Sequence, residues 1–200
     1  MASLGLHPRL AHMLLQAQGR GWLDTATALA VLISERDPLG RQEAGADLLR
    51  RLDWLRSGSG GTRSPMRRLQ GQLRRQVQAA AGEQGGAESL VTIQHQAGET
   101  DLWQVAQLLA WAYPERLALA RSPGHGRFLL RSGRGAWVPP EDPLAGAEAL
   151  AIASLDGQGR DARVLLAAPL PRALLEELAR EQGQRQTRAT WDGESERLRC

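Results

Sequence analysis

Four histidines are the first candidates for metal binding or acid–base chemistry in this sequence. His7 and His12 are five residues apart, which is not the four-residue spacing that turns two helical histidines toward one ion. His95 and His125 each lie alone in a predicted loop. The single cysteine, Cys200, cannot form a zinc cluster or a disulfide within the chain. We therefore predict no catalytic residue and no metal ligand.

Lysine is absent from the sequence, and all 25 basic residues are arginines. A phosphate-binding P-loop requires a lysine, and so does Schiff-base catalysis. The composition therefore excludes a P-loop nucleotide triphosphatase and lysine-dependent carbonyl chemistry within these residues. We predict no cofactor site in this chain.

The best candidate site is a group of basic side chains around one predicted hairpin and the loop before it. We predict that these residues bind nucleic acid: Arg121, His125, Arg127, Arg131 and Arg134. Clustered arginines neutralise phosphates and release counterions. Strand alternation places Arg127 and Arg131 on one face and Phe128 on the other, toward the core. The other aromatic residues nearby are only Trp137 and Trp191, so we expect backbone contact with little base readout.

Another arginine-rich stretch lies between positions 50 and 75, and we call it the first stretch because it comes earlier in the chain. Its members fall within predicted helices: Arg50, Arg51, Arg67, Arg68, Arg74 and Arg75. Charged residues on a helix are more often a solvated face than a binding site. We favour that interpretation for this stretch, whereas for the hairpin arginines nucleic-acid contact and a solvated or domain-covering role are equally open.

Helical periodicity dominates residues 1–113, and these elements must position the first arginine stretch. Apolar residues recur every three or four positions in five segments, which predicts five amphipathic helices. Pro8 suits a first helical turn and Gly19 a helix end. Asp24 or Thr25 can cap the second helix, and Thr100 can cap the fifth. None is long enough to be stable alone, so we predict a small helical bundle.

The pattern changes to short strands after position 114, and these strands must position the hairpin arginines. The predicted strands are 116–121, 127–131, 134–138, 149–155, 163–168, 187–191 and 196–200, with one helix at 171–181. Several short strands with one helix predict a small, partly open barrel of the oligonucleotide-binding type. Because the last strand reaches the final residue, we expect the barrel to be incomplete at its C-terminal end. The predicted fold class is α+β.

Length and composition set the remaining limits. The chain has 200 residues with 42% hydrophobic residues and a net charge of +3, which is enough to bury a core in one or two domains. No run of eighteen apolar residues is present, and the first residues lack a secretory signal. We expect a cytoplasmic protein without membrane contact.

Several segments together resemble the DEAH-box RNA helicases, and most closely their bacterial HrpB branch. The segment from His7 to Leu15 resembles the chain after the winged helix of these helicases, and Leu32 to Leu39 resembles the next helix end. The segments from Ala112 to Ala118 and from Gly126 to Ala136 are similar to the start of their C-terminal barrel. Similarity continues through 142–146 and 163–170, so the resemblance covers nearly all 200 residues.

This resemblance implies a division into two domains. Residues 1–113 would correspond to the helicase-associated (ratchet) helical domain, and 114–200 to an oligonucleotide-binding-fold domain. In the family these domains wall an RNA channel, while ATP and Mg²⁺ are bound between RecA-like domains. No ATPase motif matches any position of this chain, so ATP would be bound outside it. The implied partners are single-stranded RNA or DNA and the RecA-like domains of the same parent chain.

Two interpretations of function remain open. In the first, the chain is an accessory RNA-binding region of an ATP-dependent helicase and is inactive as an enzyme by itself. In the second, it is an interdomain or protein-interaction scaffold that does not contact RNA.

Overall fold

The computed structural model describes residues 6–58, 60–82, 97–122, 124–157, 161–182, 190–192 and 197–199. Six helices come first: α1 (Pro8–Gln18), α2 (Leu23–Ser34), α3 (Gly40–Ala44), α4 (Leu48–Arg56), α5 (Arg63–Gly82) and α6 (Ala97–Ala112). Five of them coincide with the segments of helical periodicity. The sequence did not predict α3, because its five residues are too few to show an apolar period.

The first helix follows its local sequence. Pro8 is the first residue of α1, where no amide donor is needed. Nδ1 of His7 accepts a hydrogen bond from the backbone N of Arg9 at 3.4 Å, and Gly19 caps the other end. The predicted apolar stripe is buried: Leu10, Met13, Leu14 and Ala17. Both predicted ends of this helix are confirmed.

Two helix starts differ from the prediction. α2 begins at Leu23 with Trp22 as a cap that makes no side-chain hydrogen bond, so a cap at Asp24 or Thr25 is wrong. Leu23 is buried, and this burial outweighs a cap worth about 1 kcal/mol. α6 begins three residues before Thr100, which is therefore inside the helix. Ala97 and Glu99 favour helix, which allows α6 to begin before the candidate cap despite Gly98.

α2 lies at the centre of the helical part. It packs against α1, α4, α5 and α6, and its side chains Ala26, Leu29 and Ala30 are completely buried. The alanines let the neighbouring helices approach closely. Burial on nearly all sides explains why this helix is apolar around most of its circumference.

Five strands form a closed barrel after α6. They are β1 (Leu117–Ser122), β2 (Arg127–Leu130), β3 (Gly135–Trp137), β4 (Ala149–Leu155) and β5 (Asp161–Pro169). Their order around the barrel is β1-β2-β3-β5-β4, and β4 pairs with β1 to close it. β3 and β5 are parallel, whereas the other pairs are antiparallel. Phe128, Leu130, Ile152 and Val164 fill the interior.

The α+β class is confirmed, but the expectation of a partly open barrel is wrong, because its five strands close. The expected incompleteness of the C-terminal domain stays a prediction. Closure needs only residues 117–169, because the parallel pairing of β3 with β5 joins the two halves of the sheet. The predicted helix follows as α7 (Arg172–Gln182). Of the predicted last hairpin, β6 (Thr190–Asp192) and β7 (Arg197–Arg199) pair antiparallel, and its remaining residues lie outside the described ones.

A backbone contact joins the helices to the barrel. The backbone N of Ala167 in β5 donates to the carbonyl of Ala46 at 2.9 Å, and Asp47 lies beside Ala167 as a parallel bridge. β3 pairs with β5 only over 161–163, so Ala46 and Asp47 supply the next backbone partners along β5. α4 and α6 also pack against β5. Within the described part of the chain, no helix is long and apolar enough to cross a bilayer.

Candidate nucleic-acid interface

Strand pairing places three side chains in one row on the outside of the barrel. Arg127 at the start of β2 pairs with Trp137 at the end of β3. Trp137 in turn pairs with Arg163 in β5. Arg127 is exposed, and the other two are half-buried. We call Arg127, Trp137 and Arg163 the barrel row.

The two guanidinium groups of the barrel row lie against the same indole. Cζ of Arg127 is 5.6 Å from the ring centroid of Trp137, and Cζ of Arg163 is 5.3 Å from it. Such cation–π contacts at exposed sites are worth about 0.5–1 kcal/mol each. The backbone of Arg163 is held in turn by Asp156, whose Oδ1 accepts from the N of Arg163 at 2.6 Å. The row is therefore fixed at its β5 end.

The loop before β2 depends on one glycine. Gly126 has a φ of 62°, in the left-handed region that glycine adopts without strain. A Cβ atom there would lie 2.6 Å from the carbonyl oxygen of Val138. The Gly126 N donates to Ala145 O, and its carbonyl accepts from the N of Val138 at 2.9 Å. This close approach aligns the start of β2, and with it Arg127, against β3.

Arg121 reaches the same surface from β1 but meets an acid there. Its Nη2 lies 3.3 Å from the position that a Cβ on Gly135 would take, and the Asp161 carboxylate overlaps that position. The missing side chain of Gly135 makes room for both groups. Asp161 therefore offsets part of the positive charge beside the barrel row.

The five predicted residues fall into two groups. Arg121, His125 and Arg127 lie together where β1 ends and β2 begins. Arg131 and Arg134 belong to the turn at the opposite end of β2, where Gly133 N donates to Leu130 O at 2.8 Å. Four residues of strand separate Arg131 from Arg127, which is roughly 13 Å. The five residues therefore do not form one compact group.

The sequence did not assign Trp137 and Arg163 to the site. Arg163 is 26 residues beyond Trp137 in the chain, and only the parallel pairing of β3 with β5 places them side by side. The sequence showed only that Arg163 stands at the start of a predicted strand. It did not show which residue of another strand Arg163 pairs with. Trp191, the other aromatic considered, has a side chain outside the described ones.

A groove of about 530 Å³ begins at Arg163 and extends to the segment between α3 and α4. Its lining is both basic and acidic: Arg50 and Arg163 line it together with Glu43, Glu141 and Asp142. Asp142 is held by the backbone N of Ala46 at 2.8 Å. The groove is thus not a continuous cationic path. Among the described residues, no three His, Cys, Asp or Glu side chains are grouped so that they could hold a metal ion.

Three of the six arginines of the first stretch hold the helices together. Arg51 is completely buried, with Nε and Nη2 bonded to the two carboxylate oxygens of Asp37 at 2.9 and 2.6 Å. It also donates to the carbonyls of Asp47 and Gly45. A solvated face is therefore wrong for Arg51. Burial by itself would raise the pKa of Asp37, but the hydrogen bonds and charge of Arg51 hold that pKa below its usual range.

Other arginines from this stretch bind the end of α4. Nε of Arg67 donates to the Leu55 carbonyl at 2.8 Å, and its Nη2 donates to the Arg56 carbonyl. These carbonyls belong to the last helical turn, where no N–H group of the same helix is available to them. Arg74 pairs with Asp24 at 3.3 Å. Arg68 and Arg75 are exposed, as expected for a solvated helix face.

An aromatic and ionic cluster fixes the start of β1. Arg9 from α1 and Arg116 both lie over the ring of Tyr113, with Cζ at 5.6 and 4.7 Å from its centroid. Both also pair with Glu115. Burial would raise the pKa of Glu115, but its backbone hydrogen bond and the two arginines lower that pKa. Arg116 therefore has a structural role.

The chain is similar in sequence and fold to part of a known helicase. No protein-family profile matches the chain. It is 31% identical to the Escherichia coli ATP-dependent RNA helicase HrpB over 170 residues, which is 84% of this chain and 17% of that protein. The crystal structure of the E. coli DExH-box NTPase HrpB matches 99% of the chain with a TM-score of 0.71 and 26% identity. A second HrpB crystal structure has a TM-score of 0.64 at 22% identity and supports the fold alone.

The chain is therefore homologous to one region of a DEAH-box RNA helicase. That helicase is of the HrpB type, which confirms the resemblance read from the sequence. The chain spans about a fifth of the HrpB chains in the crystal structures.

Proposed function

We propose that this chain is an accessory nucleic-acid-binding region of an HrpB-like helicase and helps to wall its RNA channel. It contacts the backbone of single-stranded RNA through arginines of the barrel. ATP and Mg²⁺ are bound by other parts of the parent protein, including RecA-like domains that pack against this region. The barrel is of the oligonucleotide-binding type, an assignment supported by its five-stranded closed order.

The barrel row is the observation that carries this proposal. Among the described side chains, no carboxylate forms an ion pair with Arg127 or Arg163, whereas other arginines pair with acids. Two guanidinium groups on one outer barrel surface suit phosphate oxygens, which accept charge-assisted hydrogen bonds. The relative that the chain matches is an RNA helicase, which supports RNA as the polyanion.

The salt dependence of binding tests the proposal. A fluorescent single-stranded oligouridylate is titrated with the chain at several salt concentrations, and anisotropy gives the affinity. We expect Arg127→Gln and Arg163→Gln each to reduce the slope of log affinity against log salt by about 0.7, because each removes one phosphate contact to a single strand. The matched control is Arg172→Gln on α7, whose side chain is 78% exposed and pairs with Glu176.

Two results would contradict the proposal. One is an unmodified chain that does not bind the oligonucleotide even at low salt. The other is an equal slope for Arg127→Gln, Arg163→Gln and Arg172→Gln, which would show that the barrel row is not where the strand is bound.

A second candidate function, docking of another domain, is favoured by an apolar groove on the barrel. Leu119 and Leu129 pair across β1 and β2 and are 51% and 43% exposed. They line a groove of about 450 Å³ together with Leu175 and Leu178 of α7. If this groove binds a RecA-like fragment of the parent protein, Leu129→Asp should abolish that binding in calorimetry. Leu15→Asp on α1, at a similarly exposed position, should leave it unchanged.

A further inference from the structure

We propose that Trp137 is a stacking platform for one unpaired base, and that Arg127 and Arg163 bind the phosphates on either side of that base. The inference rests on the proposed RNA-binding function and adds a specific mode of contact. Binding there would be independent of base identity, because every base presents a π-face.

The position of Trp137 distinguishes it from the other tryptophans whose side chains are described. Trp22, Trp54, Trp103 and Trp111 all pack against the buried helical core. Trp137 packs against neither that core nor the interior of the barrel. It is half-buried on the outer surface, where a large aromatic side chain does little for the core and is free to meet a ligand.

The arginines beside Trp137 lie farther from the ring than those beside two other tryptophans, and their side chains lack, among the described residues, a hydrogen bond of the kind that fixes Arg63. Cζ of Arg63 is 4.5 Å from the ring centroid of Trp54, and Cζ of Arg20 is 4.6 Å from that of Trp111. Around Trp137 the corresponding distances are 5.6 and 5.3 Å. Arg63 is also fixed by a hydrogen bond to the Trp54 carbonyl at 2.9 Å. Among the described contacts, no side-chain hydrogen bond or ion pair ties the guanidinium groups of Arg127 and Arg163, so these groups can leave the indole for a phosphate.

A nucleotide can bind here because the contacts it makes outweigh the cation–π contact that it displaces. A base that stacks on the indole displaces a guanidinium from the ring, and the charged group moves onto the phosphate attached to that nucleotide. The lost cation–π contact is weaker than a base–aromatic stack, and the arginine gains a charge-assisted hydrogen bond. The strands place the two arginines on opposite sides of Trp137, so both flanking phosphates are within reach.

The experiment compares two oligonucleotides of equal length, one normal and one with abasic sugars in place of its central nucleotides. Affinities of the full chain are measured by anisotropy across a salt series. We expect Trp137→Leu to weaken binding of the normal strand by about 5- to 150-fold, with an unchanged salt slope. The abasic strand should bind Trp137→Leu and the unmodified chain equally. Trp137→Phe keeps an aromatic face and should restore most of the affinity.

The outcomes separate this inference from the proposed function. If the unmodified chain binds RNA but Trp137→Leu binds both strands as tightly, the stacking platform is refuted and the arginine contacts stand. A lower salt slope in Trp137→Leu also refutes it, since the indole would then only position the arginines. If no strand binds the unmodified chain, the proposed function itself fails. Urea unfolding of each variant and the control Leu15→Ala exclude a general loss of structure.

Discussion

Replacing Arg51 with methionine is expected to destabilise the fold by about 3 kcal/mol. Arg51 is the only charged side chain described that is completely buried. It makes two hydrogen bonds to Asp37 and two to backbone carbonyls, all between 2.6 and 3.0 Å. Methionine fills a similar volume but can make none of these bonds.

The magnitude follows from what the substitution leaves behind. Removing one partner of a buried ion pair costs about 3–5 kcal/mol, because the remaining charge is uncompensated. The Asp37 side chain keeps 33% of its surface exposed and can regain water, which places the loss at the lower end of that range. The carbonyls of Gly45 and Asp47 also lose a donor from Arg51, and an unsatisfied buried acceptor costs about 1–3 kcal/mol.

Urea unfolding followed by circular dichroism gives the change in the free energy of unfolding. The neighbouring residue supplies the matched control. Arg50 is 54% exposed, and its ion pair with Asp47 is long, at 3.8 Å. Arg50→Met should cost less than about 1 kcal/mol, as for other surface pairs. If Arg51→Met is no more destabilising than Arg50→Met, the assigned role of the buried guanidinium is wrong.

The same variant should change the response to acid. Because its folded pKa is lowered, Asp37 contributes stability that is complete above its unfolded pKa of about 3.9. That contribution is lost as the pH falls through the lower folded pKa. In Arg51→Met the hydrogen bonds and charge of Arg51 are gone and only the backbone hydrogen bonds from Leu39 and Gly40 still lower the Asp37 pKa, so this acid-dependent loss should shrink.

Two further substitutions test the junctions that support the barrel. Gly45→Ala should be more destabilising than Gly40→Ala by roughly 1–3 kcal/mol in urea unfolding, because both have a positive φ but only at Gly45 would the Cβ meet a side chain, 2.5 Å from Asp142 Oδ2. Equal losses would show that this contact relaxes freely. Glu115→Gln should flatten the decline in thermal stability in acid, because the pKa of Glu115 is lowered in the folded state. Its contribution is complete above the unfolded pKa of about 4.3 and is lost as the pH falls through the lower folded pKa. An unchanged profile of melting temperature against pH would contradict the assigned pairing with Arg9 and Arg116.

Local sequence was sufficient for most helices and strands. Apolar periodicity identified α1, α4 and α5, since each buries one face against the same core. Alternation identified β2, in which Arg127 and Leu129 are exposed while Phe128 and Leu130 are buried. Helix starts were less predictable. The start of α2 depends on the burial of Leu23, and capping residues in the sequence do not indicate which side chains are buried.

Barrel closure could not be predicted, because it depends on contacts between distant segments. The hairpin of β2 and β3 is visible from a Ser132-Gly133 turn, but nothing in the sequence shows that β3 also pairs with β5. The pairing of β3 with β5 also determines which residues form the candidate site. Arg121, His125 and Arg127 come together through a local hairpin, whereas Trp137 and Arg163 meet only through the parallel register.

The presence of an arginine at a helical position also did not show whether it is buried and structural or lies on the surface. Arg50 and Arg51 are adjacent in the sequence, yet one is exposed and the other completely buried. The helical period does turn the two side chains in different directions, and Arg51 is one turn from the buried Leu48 and Leu55. A carboxylate partner fourteen residues away, Asp37, makes that burial possible.

β5 connects the structural arginine with the candidate interface. Arg51 holds the carbonyls of Gly45 and Asp47, and the residue between them, Ala46, accepts a hydrogen bond from Ala167 in β5. Arg163 lies four residues earlier on that same strand, where it pairs with Trp137. Because β3 covers only the first three residues of β5, the helical part must supply the remaining backbone partner on that side. The spacing of the barrel row therefore depends on helix packing as well as on the barrel, and the two parts of the chain form one structural support for the strand that carries Arg163.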